Sequence, residues 1–168
     1  MNLYFMRHGI ALPKDDPEIR VDEERPLTKK GAKRMRKAAK GLSTLDIDFD
    51  RIFTSPLVRA RQTAEIVAEE LGLEARLEDL PELSPQTPVE ELASKLGGYR
   101  ELENLLLVGH EPLLTKTAAY LLAREKELRI ELKKGGLCRV ELDGLPAESR
   151  ALLHWMLTPR QLRALADA

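Results

Sequence analysis

The sequence predicts an α/β fold, a three-layer sandwich whose largely parallel central sheet is flanked by helices. Three observations lead there. Strand-length apolar runs alternate with segments of helical period along the chain. The run Leu105 to Val108 is apolar at every position, the pattern of a central strand covered on both faces. The strand-to-helix connections are short and punctuated by Ser, Thr, Pro and Gly, as in βα units.

Asn2 to Arg7 reads as a buried first strand, followed by a polar loop from Pro13 to Pro26. Thr28 is placed to cap a helix reaching about Leu42, with Ala32, Met35, Ala39 and Leu42 on one face. Asp50 to Thr54 is a short second strand. Ser55 is expected to cap the next helix, with Pro56 at its first position, Gly72 beyond its end, and Leu57, Ala60, Ala64, Val67 and Leu71 as its stripe. Glu74 to Leu77 alternates like a strand. Thr87-Pro88-Val89-Glu90 has the form of a capping box opening a helix to about Leu96. Pro112 opens a helix ending near Arg124. Leu137 to Leu142 and Arg150 to Met156 read as two later strands joined through Asp143-Gly144, and Thr158-Pro159 starts a C-terminal helix.

Composition narrows the function classes. With 168 residues and no linker, repeat or low-complexity stretch, residues 1–168 are expected to form one domain. Apolar residues make up 43% and charged residues 33%, with a net charge of -1, so the bulk basicity of a nucleic-acid binder is missing. No apolar run is long enough to span a membrane, and the N-terminus lacks the pattern of a signal peptide. Cys138 stands alone, without a disulfide mate or companions for a cysteine metal site. A cytoplasmic location is expected.

Three loops carry chemistry. Arg7-His8-Gly9 ends the first strand, the stretch SPLVRARQT (Ser55 to Thr63) follows the second, and Gly109-His110-Glu111-Pro112 follows the apolar central strand. If these strands are parallel neighbours, the loops meet at their carboxyl ends, where such sheets bind ligands. Guanidinium groups grip phosphoryl oxygens in forked pairs and stay charged at any working pH. A neutral imidazole can attack phosphorus and hold the phosphoryl covalently, and a second can stabilise the oxygens as the bond breaks. Singly, each residue has an ordinary structural explanation. Together they compose a complete phosphoryl-transfer site.

Met6-Arg7-His8-Gly9 resembles the signature of the histidine phosphatase superfamily, the phosphoglycerate-mutase-like fold. Ser55-Pro56-x-x-Arg59-Ala60-x-x-Thr63 resembles its second motif and Gly109-His110 its third. Arg25-Pro26-Leu27-Thr28-x-x-Gly31, Leu80-Pro81-Glu82-Leu83-Ser84-Pro85 and Trp155-Met156-Leu157-Thr158-Pro159 resemble segments of the SixA-type phosphohistidine phosphatases, so the likeness covers nearly the whole chain. It implies that His8 is the phosphoryl acceptor and that Arg7, Arg59 and His110 hold the phosphate. Arg59, the arginine before the alanine, is favoured over Arg61. Glu82 occupies roughly the position of the proton-donating acid in mutases and sugar-phosphate phosphatases, and an exposed loop carboxylate is the equal alternative. Ala11 stands where many members carry Ser or Thr, which removes one phosphate or substrate contact.

The expected activity is thus metal-independent dephosphorylation of phosphohistidine in proteins through a phosphohistidine intermediate on His8, with no cofactor. The expected partner is a phosphorylated protein, such as a phosphohistidine-bearing signalling domain. The alternatives are a broad phosphomonoesterase on small phosphoesters and a phosphate-binding module without turnover. Only Glu78 to Asn104 lies between the third strand and the apolar central one, too short for the helical cap of larger relatives, which leaves the site open. Lys29, Lys30, Lys33, Arg34, Arg36, Lys37 and Lys40 form a dense basic run, readable as a solvated helix face or as an attraction for an acidic partner. The acidic loop Asp15 to Glu24 reads as a rim of the site or plain surface, and His154 as structural.

Overall fold

Alternation along the central strands decides the architecture. Leu3, Phe5, Leu105, Leu107 and Phe53 point to one face of the sheet, and Tyr4, Met6, Leu106, Val108 and Ile52 to the other. Both sets are buried, so the sheet needs cover on both sides. The computed structural model describes residues 1–124, 128–143 and 151–168. It contains strands β1 (Asn2–Arg7), β2 (Arg51–Thr54), β3 (Leu77–Asp79), β4 (Asn104–Gly109), β5 (Leu137–Leu142) and β6 (Ala151–Leu157). Its α-helices are α1 (Lys29–Ser43), α2 (Val58–Leu71), α3 (Val89–Gly97), α4 (Leu113–Ala123) and α5 (Pro159–Leu165). Helices α3 and α4 cover the first face, and α1, α2 and α5 the second. The three-layer expectation holds.

The strand order is β3-β2-β4-β1-β5-β6. The first four strands are parallel, while β5 pairs antiparallel with both β1 and β6. The sheet is therefore mixed, parallel on the side that carries β1, β2 and β4. These three are consecutive in space, so the loops after Arg7, Thr54 and Gly109 leave one edge side by side.

Several boundaries differ from expectation. Residues Glu74–Arg76 form a turn of 3-10 helix, and the strand begins only at Leu77, where pairing with Ile52 starts. Four residues of alternation are too little to separate the two conformations. Helix α2 starts from Leu57, so Ser55 is not its cap. Helix α3 is entered through Pro88 without a side-chain cap, one residue later than a Thr87 capping box requires. The box does form at α5, where Thr158 and Gln161 satisfy each other's backbone. Gly72 ends α2 in the left-handed conformation, as its position suggests. The expected turn residue Gly144 and the strand start Arg150 lie outside the described residues. No described helix is long and apolar enough to cross a membrane.

Candidate active site

The loop around His8 is braced from beneath. Thr28 caps α1 by accepting from the Gly31 N–H, and its own N–H donates to the Ile10 carbonyl. A Cβ on Gly31 would lie 2.1 Å from the Ile10 oxygen, so only glycine lets α1 approach this closely. The Gly9 N–H donates to Thr63 Oγ1 on α2, and Thr63 in turn donates to the Arg59 carbonyl. The His8 N–H donates to the Gly109 carbonyl. Residues of all three motif loops thereby fix one another.

The four expected site residues come together. The rings of His8 and His110 have centroids 5.1 Å apart, and both are buried, as is Arg59. Arg7 and Arg59 are close enough to act electrostatically on His8. His8 Nδ1 is 2.7 Å from the Gly9 carbonyl oxygen. A carbonyl only accepts, so Nδ1 carries the ring proton and Nε2 keeps the lone pair. His110 Nε2 is 2.9 Å from Ser55 Oγ, which also accepts from the Leu57 N–H. A Ser55 hydroxyl donating to Nε2 leaves the His110 proton on Nδ1. Among the described residues three buried nitrogens of this group lack a protein partner: Arg7 Nε, Arg59 Nε and His110 Nδ1. Buried donors are ordinarily paired, so three together mark a site built for an acceptor-rich ligand.

Glu82 stands apart from this network. It sits in the 3-10 turn Pro81–Leu83, beside the end of β4, with Oε1 3.3 Å from Lys95 Nζ on α3 and Oε2 buried without a partner. No described hydrogen bond or ion pair joins it to the four residues. Arg61 is held on the surface by Glu65 and Asp79, while Arg59 is the buried one. Cys138 is buried, which pushes its thiol up to about 12 and leaves it inert.

Sequence reasoning missed four contributors. Ser55, read as a cap, instead orients His110. Asp22, read only as rim, accepts from Arg59 at Oδ2 (2.9 Å) and at its main-chain oxygen (2.7 Å). Burial acts to raise the Asp22 pKa, but Arg59, Arg25 and Lys14 outweigh it and hold the carboxyl below its ordinary value. Lys134 adds a positive charge felt by His8, in a turn whose Gly135 and Gly136 exchange backbone hydrogen bonds with Arg7. Burial and the neighbouring Arg7, Arg25 and Arg59 lower its pKa. Burial also raises Glu111, against the Thr115 hydroxyl and the Arg7 charge. None of these has a local sequence signature, except that Ser55 opens the second motif.

Burial drives the His8 pKa from 6.5 to about 4, with the charges of Arg59, Arg7 and Lys134 adding to the fall. Burial, then His8 and Arg59, take His110 to about 3. Both rings are neutral at pH 7. Below pH 6.5 the unfolded chain binds protons that the folded chain refuses, so stability falls as the pH drops from 6.5 toward 4. Urea unfolding should show the wild type losing about 2 kcal/mol more than His8→Ala between pH 7 and 4.5. Parallel curves would contradict the depressed pKa.

The family model of the histidine phosphatase superfamily (branch 1) matches residues 3–84. An uncharacterised protein of Picosynechococcus sp. (strain ATCC 27264 / PCC 7002 / PR-6) is 39% identical over 140 residues, 82% of each chain. The phosphohistidine phosphatase SixA of Escherichia coli (strain K12) is 28% identical over 165 residues, 97% of each chain. The solved structure of the protein histidine phosphatase SixA complexed with tungstate superposes with a TM-score of 0.84 at 29% identity, covering 96% of this chain and 99% of that one. Three motif loops at one sheet edge, the family match and the full-length likeness agree: the chain belongs to the histidine phosphatase superfamily and is SixA-like within it.

Proposed function

We propose that this phosphatase removes phosphoryl groups from phosphohistidine in proteins, by way of a covalent intermediate on His8. The observation that carries the phosphoryl-transfer reading is the free Nε2 of His8 beside three unpartnered buried donors, Arg7 Nε, Arg59 Nε and His110 Nδ1. In the first step the Nε2 lone pair attacks phosphorus. A new N–P bond forms, the substrate N–P bond breaks, and the departing imidazole takes a proton from solvent, to which the attacking water of the second step returns one. In the second step water attacks phosphorus, the His8 N–P bond breaks and phosphate leaves. The guanidinium charges and the His110 N–H stabilise the equatorial oxygens in both steps. Positive charge at the site comes from protein side chains, so no metal or cofactor is required.

The leaving group favours phosphohistidine. An alkoxide must be protonated as it departs, whereas an imidazole needs its proton only near a pKa of about 6.5. Transfer between two histidines breaks and makes the same kind of bond. Glu82, the carboxyl group at the acid position, is engaged by Lys95 and tied to none of the four site residues. The names of the SixA relatives point the same way. Phosphate release should be measured on a phosphohistidine protein, a phosphoserine peptide and sugar phosphates. The first is expected to be turned over far faster than the others, and the reverse selectivity would sink the proposal.

The buried, unpartnered Oε2 of Glu82 favours a second reading, a phosphomonoesterase on small phosphoesters with Glu82 as the acid. Glu82→Gln separates the two. If the leaving-group argument holds, residual phosphoester cleavage drops about 10²-fold while phosphohistidine cleavage changes less than about threefold. Equal losses on both substrates would refute it.

A further inference from the structure

A groove of about 660 Å³, lined by Arg7 and Gly9 on either side of His8 in the chain, lies between α1, the turn before β5 and α5. Its floor is apolar, made largely by Met35, Ala38, Ile10 and Pro159, and its rim is cationic. Arg34 stands on α1, Lys133 and Lys134 on the turn, and Arg160 and Arg163 on α5. No lining residue is acidic. Among the described residues Arg34, Lys134, Arg160 and Arg163 have no ion-pair partner, and Lys133 has only Glu131 at 3.8 Å between two exposed groups. The chain as a whole carries a net charge of -1, so this concentration of cations is local. Such a concave, one-signed surface focuses its field outward and draws anions in.

We propose that this groove binds an acidic segment of the polypeptide substrate, next to its phosphorylated residue. The proposal deepens the phosphohistidine reading and rests on it for the position of the phosphoryl group. The α1 wall from Gly31 to Ala38 is about 10 Å long at 1.5 Å per residue. That length matches about three residues of extended chain at roughly 3.3 Å each. Three of the rim cations are arginines, whose planar forks fit carboxylates, and Arg160 and Arg163 are neighbours on one helix face. Cations spread over three elements suit a row of separate carboxylates. A compact polyanion would call for one cluster. The apolar floor matches backbone and methylene surface between the acidic groups.

The double variant Arg160→Gln/Arg163→Gln tests this without touching the four site residues or the Thr158–Gln161 capping box. Two probes are needed. The first is a fluorescent hexaglutamate peptide, with hexaglutamine as control, followed by anisotropy. The second is a pair of phosphohistidine peptides, one flanked by Asp and Glu and one by Ser and Gln, with p-nitrophenyl phosphate as small substrate. Wild type should bind the glutamate peptide and not the glutamine one, and the double variant should weaken that binding about tenfold. The acidic phosphopeptide should be favoured about tenfold in kcat/KM, through KM, and lose that advantage in the variant, with p-nitrophenyl phosphate unaffected. Equal binding of the two unphosphorylated peptides, or a preference that survives in the variant, overturns the proposal. So does tripolyphosphate binding tighter than hexaglutamate, which would assign the groove to a small polyanion. Glutamate binding without cleavage of either phosphopeptide would reject the phosphohistidine reading and keep the groove. Cleavage of both phosphopeptides with equal efficiency would do the opposite.

Discussion

His8→Ala should eliminate turnover, with a loss of at least about 10⁴-fold, while the protein stays folded at pH 7. No other described group can replace the imidazole. His110 lies 5.1 Å away between ring centroids, and its Nε2 is occupied by Ser55. The variant loses the ring's bond to Gly9, but the Gly9 N–H keeps Thr63 and the residue 8 N–H keeps the Gly109 carbonyl. The loop therefore retains its backbone anchors. Rapid quench with ³²P-labelled substrate gives the direct readout: label trapped on His8 in the wild type and absent from the variant. Label that persists on another residue, or activity within tenfold of wild type, would overturn the assignment of the nucleophile.

Arg59→Lys is expected to cost about 10²–10³-fold in kcat/KM, with Arg61→Ala within about twofold of wild type. The two arginines lie two residues apart on one helix and differ in what they touch. Arg61 is shared between Glu65 and Asp79 at the surface. Arg59 spends two of its N–H groups on Asp22 and keeps Nε unpartnered in the site. A lysine keeps the charge but cannot serve Asp22 and a phosphoryl oxygen from one fixed plane. Asp22 is one-third exposed and also paired with Arg25 and Lys14, so stability should fall by only about 1 kcal/mol. Inorganic phosphate, the product of the proposed reaction, offers an independent check. At 100 times its Kd it should stabilise the wild type by about 2.7 kcal/mol, and Arg59→Lys far less. Equal protection would place the oxyanion elsewhere.

The sheet and its helices were legible because the governing patterns are strong. Leu105 to Val108 has no polar position, and Thr28 and Thr158 each precede a helical period. The meeting of Arg7, His8, Arg59 and His110 was legible because parallel neighbours put their loops at one edge. What stayed hidden depends on geometry that period and composition do not encode. Whether a serine at a strand end caps a helix or reaches a histidine depends on a two-residue shift of the helix start, as Ser55 demonstrates. Asp22 lies 37 residues from Arg59 in an acidic loop where any of several carboxylates fits the same description. Lys134 precedes the antiparallel β5, and its place beside Arg7 follows from the reversal of direction there.

Strand β1 ends at Arg7, immediately before His8, and it is held by partners translated long after it. Leu3 faces Leu105 on one side and Val140 on the other. Until β4 and β5 are available, both edges of the first strand are bare, and the arginines and histidines of the site have no common frame. Such distant pairings make for slow, late closure of the fold. A nascent chain therefore carries His8 from the start without the means to use it. The frame that gathers Arg7, His8, Arg59 and His110 is therefore complete only once β4 and β5 have paired with β1, so phosphatase activity during refolding is expected to lag behind the formation of helix.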